Sequence, residues 1–205
     1  MDFEIIKPAD IEKRSFAIIT EELGDRVFPE EIGLVVKRVI HTSADFDYAD
    51  NLVFSEGAVP RALEAIRNGA HIVTDTNMVK AGINKKTLAK FGGEVHCFVA
   101  DADVAEEAKQ RGVTRSTVSM ERAAKLDVPV IFAIGNAPTA LIELDRLMRE
   151  QDLKPELIIG VPVGFVNVVE SKELILQSQA PHIVARGRKG GSNVAAAIVN
   201  ALLYQ

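Results

Sequence analysis

A three-layer α/β/α fold built on a mainly parallel sheet is predicted by two features of the sequence. Short, continuous Val/Ile-rich runs alternate with amphipathic segments, the pattern left by strands that are buried on both faces and joined by crossover helices. Glycine-rich and polar segments fall where those runs end, the place where such sheets put their ligands. A chain of 205 residues, 47% apolar and 26% charged, can bury one sizeable core. We therefore expect a single domain over 1–205, with a helical N-terminal segment of about 1–50 packing on the α/β core.

The first helix is expected from Ala9 to Leu23, with Ile11, Phe16, Ile18, Ile19 and Leu23 mostly on one face and Gly24 ending it. A second should start at Pro29, with Glu30 and Glu31 favourable to its dipole. Ile32, Val35, Val36, Val39 and Ile40 supply its buried stripe, and it should end at His41. Thr42 to Asn51 is crowded with Asp and hydroxyl groups, has no period, and reads as a loop. The strands follow as Leu52–Phe54, His71–Thr74, Val95–Val99, Val130–Ile134, Leu157–Ile159 and His182–Ala185. Interleaved helices are expected at Pro60–Asn68, Arg115–Leu126, Ala137–Gln151 and Ser192–Leu203.

With 24 Lys+Arg against 29 Asp+Glu the net charge is -5, so neither nucleic acid nor an anionic membrane surface is an expected partner. Any anion must be held by a local site. The lone Cys97, in an apolar stretch, reads as a reduced buried thiol. The segment Met1 to Lys7 lacks the basic and apolar regions of a signal peptide, and no stretch approaches the roughly 20 apolar residues of a membrane span. A cytoplasmic location is expected.

The strand-end segments hold the chemistry. Arg186-Gly187-Arg188-Lys189-Gly190-Gly191-Ser192 leads from a strand into a helix. Its glycines let backbone N–H groups approach a ligand, and its cations suit carboxylates or phosphates. It fits neither G-x-x-x-x-G-K-[ST] nor G-x-G-x-x-G, which disfavours nucleotides, and a substrate carboxylate is the expected anion. Asn136 in Gly135-Asn136-Ala137-Pro138-Thr139 reads equally as a helix cap or as part of a site. Arg115 opens a helix, against the dipole, and is a candidate ligand contact. His41, where a helix gives way to a polar loop, is the candidate acid/base, whereas His71, His96 and His182 read as structural. Lys172, on a helix, reads as a solvated side chain. Asp45, Asp47, Asp50 and Glu56 mimic a calcium loop, but Asp50 stands where its sharp turn needs glycine. Without a Cys/His cluster in the sequence, zinc is not expected. No G-x-S-x-G serine is present. The residues alone thus reach an anion-binding α/β protein with a histidine acid/base, not a reaction.

Taken together, Arg14-Ser15-Phe16, Arg38 to Phe46, Thr74-Asp75-Thr76, Thr114-Arg115-Ser116, Gly135 to Leu141, Pro162 to Val166, Glu170-Ser171-Lys172 and Gly187 to Ser192 resemble the precorrin-8X methylmutase family, in its order and over nearly the whole chain. The resemblance implies a flavodoxin-like fold and a homodimer with the site near the subunit interface. It also implies an isomerase of corrinoid (cobalamin) biosynthesis that moves a methyl group from ring carbon 11 to ring carbon 12 of precorrin-8X or cobalt-precorrin-8. It implies His41 as the catalytic acid, with no redox cofactor, methyl donor or protein-bound metal. The tetrapyrrole's acetate and propionate groups would then meet Arg115, Arg188 and Lys189, with N–H groups at Gly190, Gly191, Ser192 and at Asn136, Ala137 and Thr139. Arg14, Ser15, Thr76, Ser116 and Ser171 complete the expected substrate contacts, and Phe165 is expected either on the macrocycle face or in the core. Handover of product to the next biosynthetic enzyme is a further expectation. Two other readings stay open: an enzyme acting on a phosphorylated small molecule, and a non-catalytic tetrapyrrole carrier.

Overall fold

The computed structural model describes residues 4–205, so the first three positions of the expected N-terminal segment lie outside the described residues. A 3-10 turn at Pro8–Asp10 leads into α1 (Ile11–Leu23), α2 (Glu30–Ser43) and α3 (Tyr48–Asn51). The sheet region then runs β1 (Leu52–Phe54), α4 (Ala58–Arg67), β2 (His71–Thr74), α5 (Asn77–Gly82), α6 (Lys85–Ala89), β3 (Val95–His96), α7 (Ala102–Arg111), α8 (Arg115–Ala123) and β4 (Val130–Ile134). It closes with α9 (Pro138–Gln151), β5 (Leu157–Gly160), α10 (Val168–Gln177), β6 (His182–Ala185) and α11 (Ser192–Leu203). The strand order is β1-β6-β5-β4-β2-β3, with β1 antiparallel to β6 and every other pairing parallel.

Alternate residues of each strand feed two cores, as the period of two requires. Ile72, Ile131, Ile159 and Ile183 face a core shared with α4, α6 and α11, while Val73, Phe132, Ile158 and Val184 face α8, α9 and α10. This is the expected three-layer arrangement, with one addition. Helix α11 is buried almost all round, from Val194 to Val199 and from Ala201 to Leu203, because α2 covers the side turned away from the sheet. A helix apolar on every face is the kind that needs such double cover. The alanines of α11 let α2 approach closely, and Val35, Val36, Val39 and Ile40 of α2 are all buried there. The two helices run antiparallel: Gln205 reaches the Glu31 carbonyl at one end, and Lys189 meets Asp45 at the other.

Four local expectations are corrected. Helix α2 continues past His41 to Ser43, where Ala44 adopts φ 52° and donates its N–H to the Ile40 carbonyl. The following segment is not all loop, since Tyr48 and Ala49 bury themselves in the short α3. Strand β3 stops at His96 instead of Val99, because it is the sheet's edge and the chain turns at Phe98, whose carbonyl accepts from Asp101 N–H. Helix α8 ends at Ala123, short of Leu126. Among the described residues no helix is long and apolar enough to cross a membrane.

Candidate active site

The carboxyl ends of β2, β4, β5 and β6 carry four loops, and buried polar contacts lock them into one surface. Asp75, just beyond β2, is 1% exposed. Its carboxylate accepts from the N–H groups of Gly135 (3.0 Å), Asn136 (2.7 Å) and Ala137 (2.7 Å) at the start of α9. Burial pushes the Asp75 carboxyl above the usual carboxylate range, opposed by those three donors. The N–H groups of Asn136 and Ala137, expected to face a substrate anion, are therefore already engaged inside the protein.

The loop between β6 and α11 is held just as closely. Thr76 and Ser192, 116 residues apart, share a hydroxyl hydrogen bond of 3.0 Å, and the Thr76 hydroxyl also accepts from Val79 N–H to cap α5. Gly191 donates its N–H to the Val161 carbonyl at 2.9 Å. A Cβ on Gly190 would sit 2.1 Å from that same carbonyl oxygen, so only glycine lets the two loops meet. Beneath them lies Lys172 of α10, expected to be solvated but in fact wholly buried. Its Nζ donates to the carbonyls of Gly187 and Lys189, each at 2.8 Å. Burial lowers its pKa to about 8. A lysine can be taken from water only where its charge is met, and here two loop carbonyls meet it. Ser171 beside it is also fully buried, donating its hydroxyl to the Val168 carbonyl, and so does not reach the surface where a substrate contact was expected.

Lys189 is not free either. Its ammonium donates to Asp45 at 2.6 Å and Asp47 at 2.7 Å, which hold it well above its ordinary range, while the Lys189 hydrogen bond holds Asp45 below its own. In this structure Lys189 ties the strand-end loops to the segment that follows α2. Four residues before Asp45 stands His41, exposed, in the last turn of α2. The Phe16 ring of α1 stacks on it with centroids 5.4 Å apart and 23° between planes. Arg38 lies over the other partner of that stack, 4.8 Å from the Phe16 centroid, and pairs with Glu12 at 3.0 Å. Arg38's hydrogen bond holds Glu12 below its ordinary pKa.

The cations of the strand-end segments left to receive an anion are Arg115, Arg186 and Arg188, whose guanidinium groups make no hydrogen bond or ion pair among the described residues. Arg115 opens α8, whose cap Thr114 shares a hydroxyl hydrogen bond of 3.1 Å with Thr139 of α9, placing Arg115 and Ser116 at the rim of the same surface. Arg188 lies over the Phe165 ring at 5.4 Å, and Phe165, at 80% exposure, belongs to the surface and not to the core. On α1, Arg14 pairs with Glu4, and Ser15 donates its hydroxyl to the Ile11 carbonyl of its own helix. Of the histidines expected to be structural, His182 has its Nδ1 2.9 Å from the Ala180 carbonyl oxygen. His71 and His96 lie with ring nitrogens 2.8 Å apart. Asp75, Lys172, Phe16 and the Asp45/Asp47 pair are the residues that sequence reasoning left out of the site. A signal existed for all of them but Asp47, since Phe16, Asp45, Asp75 and Lys172 fall inside motifs that carry the family resemblance.

The fold and this surface define an α/β protein that presents free guanidinium groups, glycine loops and an exposed aromatic ring to an anionic, partly apolar ligand. The family model for precorrin-8X methylmutase matches residues 10–205, and the chain belongs to that family. It is 48% identical over 197 residues to a cobalt-precorrin-8 methylmutase of Priestia megaterium, covering 96% of this chain and 88% of that one. The Salmonella typhimurium cobalt-precorrin-8 methylmutase is 46% identical over 206 residues, covering 98% and 96%. The crystal structure of the precorrin-8X methyl mutase from Thermus thermophilus superposes with a TM-score of 0.87 at 39% identity, over 95% of this chain and 96% of that one.

Proposed function

We propose that this chain is an isomerase of cobalamin biosynthesis that moves a methyl group from ring carbon 11 to ring carbon 12 of a ring-contracted tetrapyrrole. The product is cobyrinic acid from cobalt-precorrin-8, or hydrogenobyrinic acid from precorrin-8X. Relatives sharing 46% and 48% of its residues are named for the cobalt form, which makes cobalt-precorrin-8 the substrate to try first. The observation that carries the reading is the link from Lys189 to Asp45 and Asp47, which fastens the histidine-bearing end of α2 to the anion-binding loops.

Arg115 and Arg188 receive substrate carboxylates, supported by the Ser192 and Thr76 hydroxyls and by the free N–H groups at the start of α11. Phe165, with Val163 and Val166 exposed beside it, offers an apolar face to the macrocycle. His41 is the acid. It stands in the last turn of α2, and stacking on Phe16 fixes the ring's plane. Donation of its proton to a macrocycle nitrogen withdraws electron density from the ring, so the bond from the methyl to carbon 11 breaks as the bond to carbon 12 forms in a suprafacial 1,5-shift. The proton then returns to His41. Nothing is oxidised and the methyl stays within one molecule, so the balance calls for no redox cofactor or methyl donor. A cytoplasmic homodimer, with the exposed Val163, Phe165 and Val166 near the subunit interface, and handover of product to the next biosynthetic enzyme complete the reading.

The test is a visible-absorption time course of the purified chain with cobalt-precorrin-8 and, separately, with precorrin-8X. Conversion of either spectrum to that of the corrin product is expected. Binding without conversion would replace this reading with that of a carrier. If the chain neither bound nor altered either tetrapyrrole, the phosphorylated-substrate reading would replace it.

A further inference from the structure

At the far edge of the sheet, away from the strand-end loops, β2 and β3 bring together three metal-ligating side chains, one of which lies more than 20 residues before the other two in the sequence. Ile72 pairs with Val95 and Val73 with His96 in parallel register. Alternation then puts His71, Glu94 and His96 on one face and Ile72 and Val95 on the other. The packing agrees, since Val73 joins one core and Ile72 and Val95 the other. His71 Nδ1 lies 2.8 Å from His96 Nε2, and ligand atoms of His71, Glu94 and His96 all fall within 4.8 Å of one another. The ring centroids are 5.0 Å apart, farther than the nitrogens by about two ring radii, so the imidazoles meet edge to edge with one nitrogen of each turned to the other, in a hydrogen bond that a bound ion would replace. Phe98 backs His96 at 5.8 Å, and the histidines are half-buried while Glu94 is exposed. Lys80 and Glu94 are the charged side chains that face His96, and the carboxylate offsets the lysine's repulsion of a cation.

We propose that His71, His96 and Glu94 form a binding site for a divalent transition-metal ion of the zinc type, a clip that fastens the edge strand β3 to β2. Two imidazoles and one carboxylate are the donors that borderline metals select over magnesium or calcium. Zinc–nitrogen bonds of about 2.0 Å at a tetrahedral angle place two histidine nitrogens about 3.3 Å apart. The imidazoles therefore need to open by only about half an ångström, and Glu94, free at the surface, closes as the third ligand. A fourth position stays open to water. The edge location explains the use: β3 has two residues and, among the described residues, no partner on its outer side, so a ligand shared with β2 stabilises it by mass action.

The experiment is calorimetric titration of the full chain, stripped with a chelator, with zinc chloride and with magnesium chloride, alongside thermal unfolding in each. One zinc per chain and a raised Tm are expected, with no response to magnesium. His71→Ala and His96→Ala should each weaken zinc binding at least tenfold, and so should Glu94→Gln, whose exposed position leaves the fold intact if the histidine variants do not fold. His41→Ala should bind zinc as the wild type does. Absence of stoichiometric zinc binding by the wild type, binding undiminished in Glu94→Gln, or binding lost in His41→Ala would each overturn the proposal, and none depends on the isomerase reading.

Discussion

Replacing Lys172 by methionine separates what the buried lysine costs the fold from what it does for the site. Methionine keeps the length of the chain and removes the charge. Burial moves the Lys172 pKa from 10.5 to about 8, which corresponds to about 3 kcal/mol of cost at neutral pH for holding the ammonium out of water. Lys172→Met recovers that cost but strips the Gly187 and Lys189 carbonyls of their donor, at about 1–3 kcal/mol each. The two effects nearly cancel, and urea unfolding at pH 7 should find the variant within about 2 kcal/mol of the wild type. Substrate affinity should not be spared. Gly187 to Lys189 would have to be ordered on binding, and at about 1–2 kcal/mol per residue even one residue's worth weakens binding about tenfold. The pH dependence has a definite sign. Between pH 8 and 10.5 the unfolded wild type keeps the lysine proton and the folded form releases it, so wild-type stability rises relative to Lys172→Met across that window, by up to about 3 kcal/mol. A difference between the two proteins that stayed constant from pH 7 to 10.5, or an unchanged substrate affinity, would refute the reasoning.

Three further outcomes follow from the same geometry. Asp75→Asn keeps the shape but turns an amide NH2 toward donors that need an acceptor, and should cost about 3 kcal/mol in thermal unfolding, since bonds to a buried charged group are worth about 1.5–3 kcal/mol each. Gly190→Ala puts a methyl into the Val161 carbonyl and should cost about 1–3 kcal/mol, with loss of tetrapyrrole binding in a spectral titration. The double variant Asp45→Asn, Asp47→Asn should leave Tm nearly unchanged, because exposed ion pairs contribute little. Its kcat/KM for methyl migration should fall as the histidine-bearing end of α2 is uncoupled from the loop of Lys189.

Much of the architecture was legible because the signals are local. Val130 to Ile134 is a continuous apolar run that can only be a central strand, and the Val35, Val36, Val39, Ile40 stripe marks a buried helix face. Helix α7 escaped because only Val104 and Ala108 of its ten residues are buried, too few for a readable stripe. The strand order and the reversal of β1 left no trace, since a crossover connection does not say which neighbour it reaches. The loops of the site were found as strand ends, yet the fate of their groups was not. Lys189 is 142 residues from Asp47, and Asp75 is 60 from the nearest N–H it accepts from, so their pairing is a product of the fold and cannot be read from either segment. The edge histidines show the same limit: 25 residues separate them in sequence and 2.8 Å in space.

The central claim is that His41 supplies the proton for methyl migration. Single-turnover spectroscopy of His41→Ala against the wild type, with tetrapyrrole binding measured separately by titration, tests it most directly. An interaction made only in the transition state should leave affinity nearly unchanged and remove turnover. Corrin formation by His41→Ala at the wild-type rate would contradict the account and leave the acid to be sought elsewhere in the site.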